Sequence, residues 1–199
     1  MSSVAANIHP DAVQNCAPGR PAIFVKSPAS GALRQGEILC DVVESIGFKS
    51  EIISTTYPFA IVASQDCDLH QESTKGNRAE LNEPDLPRVL LCLAQEAANT
   101  KTSIMGSEKW KRIASNQEAR YHFFEAVSAE QDAAGKGIAE LAVDFKRYFA
   151  IPTIDIYAQI ESVKSMRRCV LASPYKEHFQ SRFVSFLGRV GLPEDHRST

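Results

Sequence analysis

The sequence predicts an α+β fold in which an antiparallel sheet, curled or closed into a small barrel, carries two or three helices. Three observations lead there. About seven short apolar or β-branched runs recur along the chain, without the strict strand–helix alternation of a parallel α/β fold. Gly, Pro and Ser punctuate these runs at short intervals. One strongly amphipathic stretch, 174–190, follows the last run directly and is expected to pack on the sheet.

The elements follow in order. Residues 1–20, with Pro10, Pro18 and Gly19 among small polar residues, read as a loose arm. AIFVKS (22–27) is a short strand ended by SPASG. GEILCDVVES (36–45) and FKSEIISTTY (48–57) read as hairpin partners around Gly47. Pro58 separates the second from FAIVAS (59–64), a continuous apolar run of strand length. QDCDLHQESTKGNRAELNEPDLP (65–87) is polar and long, the mark of a functional or mobile loop. PRVLLCLAQ (87–95) returns to a buried strand. SEKWKRIASNQEA (107–119) reads as a helix with Ser107 as N-cap. RYHFFEAV (120–127) is an aromatic strand, followed by the flexible turn SAEQDAAGKG.

Within 138–152, AVDFKRYFAI reads as a strand that Pro152 ends, and TIDIYAQIES (153–162) as a short helix capped by Thr153. MRRCVLAS (166–173) is the last strand. Ser173 as N-cap and Pro174 at the first helical position open the final helix. Phe179, Phe183, Phe186, Leu187 and Val190 make its apolar face, and Gly191 and Pro193 stop it.

At 199 residues one globular domain is expected, spanning 21–193, with a polar tail over 194–199. The 44% hydrophobic and 23% charged content is ordinary for a soluble globular chain. A net charge of -2 gives no global attraction to nucleic acid or anionic membrane, so such contacts need a local basic patch. Five cysteines are scattered, and Cys40, Cys92 and Cys169 sit in apolar runs. They point to packed thiols in a reducing, cytoplasmic compartment rather than to disulfides. The N-terminal MSSVAANIHPDAVQNCAPGRP lacks a basic start and an apolar segment, so no signal peptide is expected. No apolar run approaches the ~20 residues of a membrane-spanning helix, and no membrane partner is expected.

The densest chemistry lies in FAIVASQDCDLHQE (59–72), where an apolar strand gives way to polar residues, a common place for functional groups. On an extended chain Asp66 and Asp68 face one side, opposite Cys67, and form a dyad able to share a proton or a metal. Cys67 and His70 have CxxH spacing, which suits one chelated ion if the chain turns there. The candidate catalytic residues are therefore Ser64, Asp66, Cys67, Asp68 and His70. A structural reading competes: Asp and Ser at a strand end bond nearby backbone, with Asp68 accepting N–H groups and Cys67 packed inside. A nucleophilic cysteine needs a base or helix dipole, and only His70 is near in sequence. No cysteine pair has the CxxC spacing of a zinc knuckle, so no stoichiometric metal is expected. Walker, GxGxxG, HExxH and GxSxG motifs are absent from the sequence, and no cofactor is expected.

Lys109-Lys111-Arg112, Lys146-Arg147 and Arg167-Arg168 lie near Trp110, Tyr148 and Tyr175. Basic residues interleaved with aromatics hold single-stranded nucleic acid, and solvated helix and strand faces give the same pattern. On the last helix Lys176, Arg182 and Arg189 are expected opposite the apolar face, free for a partner. Arg88, Arg182 and Arg189 are the candidate binding residues. His178 reads as a docking or core-satisfying residue, and His122 as a half-buried strand histidine.

Two resemblances follow from these motifs. GEILCDVVE, FAIVASQDCD and PRVLLCLAQ, within 35–95, are similar in order to strands of the MazF/PemK toxins. This resemblance implies an SH3-like barrel and a metal-independent, mRNA-cleaving endoribonuclease. Ser64, Asp66 and Asp68 would lie near the scissile phosphate, and Arg88 would neutralise it. Two positions depart from the pattern: Tyr57-Pro58 replaces the toxins' Arg-Pro, and Gln95 falls near their downstream Thr or Ser. SQDCDL (64–69), VDF (143–145) and HFQSRFVSFLGRVGLP (178–193) resemble a group of small uncharacterised bacterial proteins over most of the chain. That implies a bacterial mobile-element or anti-phage defence setting and brings no activity with it. The expected function is a non-enzymatic binding or accessory module of a defence or toxin–antitoxin-like system, holding a protein or RNA partner. The alternative is a MazF-like endoribonuclease, and a third reading is a thiol- or metal-dependent enzyme built on Cys67 and His70.

Overall fold

The computed structural model describes residues 21–74, 86–103 and 106–189. The N-terminal arm (1–20), the rest of the polar loop (75–85), the helix stop at Val190, Gly191 and Pro193, and the tail (194–199) lie outside the described residues. Among the described residues the chain forms seven strands and five helices, an α+β arrangement with more helix than the sequence suggests. In order they are β1 (Phe24–Lys26), β2 (Glu37–Phe48), β3 (Glu51–Val62), α1 (Asp66–Thr74), β4 (Arg88–Glu96), α2 (Ala97–Ser103) and α3 (Ser107–Ala114). Then come β5 (Tyr121–Phe124), β6 (Leu141–Pro152), α4 (Thr153–Glu161), β7 (Met166–Leu171) and α5 (Tyr175–Leu187).

All strand pairings are antiparallel, in the order β1-β7-β2-β3-β4-β6-β5. The sheet is open, not a closed barrel: no ladder joins the edge strands β1 and β5. It is nevertheless strongly curled, because Phe24 of β1 and Phe124 of β5 meet with ring centroids 6.2 Å apart. A shift in the β4–β6 register between Cys92 and Ala94 puts extra residues into β6 and bends it, as bulges do.

Pro58 does not break the chain, contrary to the sequence expectation: it lies inside β3. The β2–β3 hairpin turns at Lys49 and Ser50, both at positive φ (46° and 73°), the type I′ geometry that matches strand twist. With Phe48 and Glu51 as the closing hydrogen-bonded pair, alternation directs the backbone groups of Ile52, Ser54 and Thr56 away from β2. The β2–β3 ladder skips the Asp41–Pro58 pair, with Asp41 at φ 56°, and the alternation inverts there. Beyond it the Ala63 N–H donates to the Leu90 carbonyl and the Val62 carbonyl accepts the Gly36 N–H, so the odd-numbered residues face β4, whose pairing with β3 stops at Phe59↔Ala94. Beyond that point the hairpin leaves the sheet as a two-stranded arm.

The two faces of the sheet bury separate cores. On the concave face Ile38, Ile61, Cys92, Val143, Phe145 and Cys169 meet the stripe of α5, Phe179, Phe183 and Phe186. The last helix thus packs on the sheet, as its periodicity predicts. Phe145 sits among all three rings at 5.5–5.9 Å. On the other face Leu39, Val42, Ala60, Val62, Val89, Leu91 and Ile151 lie beneath Leu69 of α1 and Ile156 of α4. Leu187, assigned to the buried stripe from sequence, is exposed.

Helix ends also differ from expectation. The N-cap positions of α3, α4 and α5 are Gly106, Pro152 and Pro174, none with a side-chain cap bond, in place of Ser107, Thr153 and Ser173. The Thr153 hydroxyl instead donates to the Leu86 carbonyl, tying α4 to the start of β4. Gly188 is the C-cap of α5.

Charges that look solvated in the sequence are structural. Arg167 and Arg168, adjacent in β7, are both buried and point to opposite sides. Arg167 donates to both Glu37 oxygens (2.6 and 2.9 Å) and to the carbonyls of Gly31 and Ala32. Arg168 donates to both Asp132 oxygens at 2.7 Å and to the Gly137 carbonyl. Arg182 is not free for a partner. Its guanidinium gathers the carbonyls of Asn116, Glu118 and Tyr121, fixing the α3–β5 connection to α5.

His122 is fully enclosed, with Phe124, Phe179 and His178 at 4.5–5.4 Å. Burial, reinforced by the positive Arg182 and by His178, pulls its pKa from 6.5 down to about 3. The unfolded chain takes up this proton below about pH 6.5 and the folded one does not, so stability falls as pH drops from there toward about 3. The slope from this group is at most about 1.4 kcal/mol per pH unit. Urea denaturation across this window is expected to show the decline, and His122→Phe to flatten it. Phe183→Ala should lower unfolding free energy by about 3–5 kcal/mol in the same assay, since it empties the centre of the α5 contact.

Candidate functional site

The polar stretch after β3 does not remain a loop. It turns at Gln65, whose carbonyl accepts the Leu69 N–H, and continues as α1. Asp66 and Asp68 fall in the first turn, where acidic groups favour the helix dipole. The helical period replaces the extended one, so the residues that share a face are Asp66, His70 and Ser73, at i, i+4 and i+7. Leu69 is the buried anchor.

That face lines a cleft of about 730 Å³ whose other walls are the loop before β2 and the start of α5. Ser30 and Arg34 come from the loop and Lys176 from α5. The loop is held rigidly. Arg167 grips its carbonyls, Glu37 accepts the Arg34 N–H at 3.0 Å, and the Leu33 N–H donates to the Tyr157 hydroxyl at 3.0 Å. Gly36 closes it at φ 76°, where a side chain would also meet Leu171 at 3.0 Å. Asp66 joins all three walls, accepting the Gln35 N–H at 2.7 Å and the Lys176 ammonium at 2.5 Å. Its charge is thus already matched. Arg34 and His70 are exposed, and their side chains bond to nothing among the described residues. The cleft therefore offers cationic and donor groups around one neutralised acid.

The sequence-derived candidates divide. Asp66 and His70 come together in the cleft. Ser64 is buried beneath it, and its hydroxyl accepts the Leu90 N–H at 2.9 Å, continuing the β3–β4 ladder with a side chain. Cys67 is exposed, not packed as expected, with its thiol bonded to Gln65 (3.5 Å) and Asp68 (3.4 Å) and no hydrogen bond to His70. Asp68 is exposed and caps no backbone group; that role belongs to Asp66. Arg88 lies elsewhere, in a second groove of about 630 Å³ between the hairpin arm and α4, donating to the Ala150 carbonyl. Arg189 lies with its guanidinium 3.6 Å from the centre of the Phe186 ring.

Among the described residues no three His, Cys, Asp or Glu side chains converge as a metal-ligand set. Cys40, Cys92 and Cys169 are buried, and burial raises each thiol pKa, that of Cys169 to about 12. They are packing groups. No helix among the described residues is long and apolar enough to cross a membrane. Arg34 escaped the sequence reading because nothing local links it to α1, and Lys176, expected free for a partner on the last helix, is instead paired with Asp66; Ser73 was reachable by helical period once α1 is recognised.

No protein-family model matches the chain, and no curated protein or solved structure matches it.

Removing the Asp66 carboxylate leaves the Gln35 N–H and Lys176 without their partner. Asp66→Ala is expected to cost about 0.5–2 kcal/mol in chemical denaturation, whereas Asp68→Ala should change stability by less than about 0.5 kcal/mol. Equal effects would show that the carboxylate on the Gln35 N–H contributes nothing special.

Proposed function

We propose that the chain is a non-enzymatic binding module that holds a partner protein, with the cleft between α1, the 28–34 loop and α5 as its grip. One observation carries this reading: Arg34, His70 and Lys176 surround a rigid depression whose one acid, Asp66, is already paired. Such a site suits an acidic group, a side-chain carboxylate or a chain terminus, presented by a partner surface. The fixed loop favours capture over chemistry, since Ser64 is engaged in the sheet and the Cys67 thiol bonds to Gln65 and Asp68 rather than to His70. A bacterial defence or toxin-like setting for such a module rests on the SQDCDL and RVGLP resemblance.

The test compares a fluorescent poly-glutamate peptide with a single-stranded RNA of equal charge, by anisotropy at low and physiological salt. Binding of the peptide, weakened tenfold or more by Arg34→Glu with unchanged melting, supports the reading; that factor corresponds to about 1.4 kcal/mol. Preferential binding of the RNA, or its cleavage with EDTA present, would favour the endoribonuclease alternative and overturn it.

A further inference from the structure

The two outer edges of the hairpin arm are treated differently. On the β2 side, β7 ends its pairing at Met166↔Cys40, and side chains take over from there. The Ser165 hydroxyl donates to the Asp41 carbonyl at 3.0 Å. The Gln159 amide accepts the Val43 N–H and donates to the Val43 carbonyl, both at 2.9 Å, as a neighbouring strand would. That edge is closed off at its base.

The β3 side has no such cover. Ile52, Ser54 and Thr56 direct their N–H and C=O groups outward, by alternation from the hairpin's closing pair. Among the described residues nothing bonds to these groups. Edge strands are ordinarily guarded by charge, proline or a bulge. Residues 52–57, Ile-Ile-Ser-Thr-Thr-Tyr, contain no charge and are mostly β-branched or aromatic. Ile53 lies directly opposite Ile46 on one face, at 53% and 56% exposure, and Ile52 on the other face is 78% exposed. A strand with open hydrogen-bonding groups and apolar side chains on both faces is built to be paired.

We propose that this edge pairs with the same edge of a second copy of the chain, through a two-fold axis at Ser54. Antiparallel pairing about that axis puts Ser54 opposite Ser54 of the other copy and Ile52 opposite Thr56, each position offering its outward groups. Two hydrogen bonds per pair give about six in all. Ile53 then stands directly opposite Thr55 of the other copy, and no like charges meet along the ladder. The register is self-complementary, as a two-fold interface requires. A different protein's strand would satisfy the same hydrogen bonds, but the edge offers no charged side chain to select one.

Multi-angle light scattering on the full chain, with Ser54→Pro beside the wild type, tests this. Ser54 makes no backbone bond to β2, so proline removes an outward N–H and leaves the hairpin ladder whole. The wild type is expected at twice the 21.9 kDa chain mass and Ser54→Pro at the chain mass, with unchanged circular dichroism. As a check that does not depend on proline, Ser54→Lys and Ser54→Glu should each be monomeric alone and form a mixed dimer when combined. A monomeric wild type, or a Ser54→Lys variant that remains dimeric, overturns the proposal.

Discussion

Two adjacent arginines in β7 organise much of what surrounds the sheet. Because neighbouring strand residues face opposite ways, Arg167 and Arg168 reach loops on both sides from one point of the backbone. One fixes the 28–36 loop through Glu37, Gly31 and Ala32; the other fixes the 132–137 turn through Asp132 and Gly137. Asp132 also accepts the N–H groups of Ala134 and Lys136, and these donors with Arg168 hold its pKa down to about 2 despite burial. Buried charges of this kind are tolerated only when fully partnered, and loss of one partner typically costs about 3–5 kcal/mol. The cleft wall and the turn beside β1 are thus held from the same strand. Neither loop has enough apolar side chains to hold its own shape.

A second constraint is the irregularity at Asp41 and Pro58. The β2–β3 ladder skips this pair, Asp41 takes a positive φ of 56°, and the pairing of β3 with β4 begins only at the next residue, Phe59. The sheet therefore has a compact curled body and an arm, and the boundary between them is one residue wide. Tyr57 marks the same boundary from the side-chain direction, with its ring stacked on Phe149 at 4.4 Å and its hydroxyl donating to Glu44.

What the sequence made legible follows from where each signal resides. The α5 stripe was readable because Phe179, Phe183 and Phe186 carry both the period and the burial in one local segment. The strands were readable from their apolar runs, and their antiparallel class from the lack of regular helices between them. α1 was hidden because DCDLHQEST has one buried residue, Leu69, and polar residues at every other position. Without an apolar stripe, a surface helix and a loop look alike. Of the site, Asp66 and His70 were visible as chemistry but were placed by the wrong period. The true partners of Asp66 are Gln35 and Lys176, 31 and 110 positions away, a relation only the tertiary fold creates. The same blindness made Arg167, Arg168 and Arg182 look like surface charge, since a buried cation is recognisable only with its distant acceptors in view.

The strand order has a consequence in time. β7 is the last of the described strands to be synthesised, yet it lies between β1, the first of them, and β2. While the chain emerges from a ribosome, β2, β3, β4, β6 and β5 can assemble, but β1 has no neighbour to join. Its docking, and with it closure of the concave core by α5, waits for β7. Sequence-distant pairing of this sort slows folding and leaves edges open meanwhile. The newborn protein would therefore exist for a period as a five-stranded intermediate whose β2 edge, later occupied by β7, is bare.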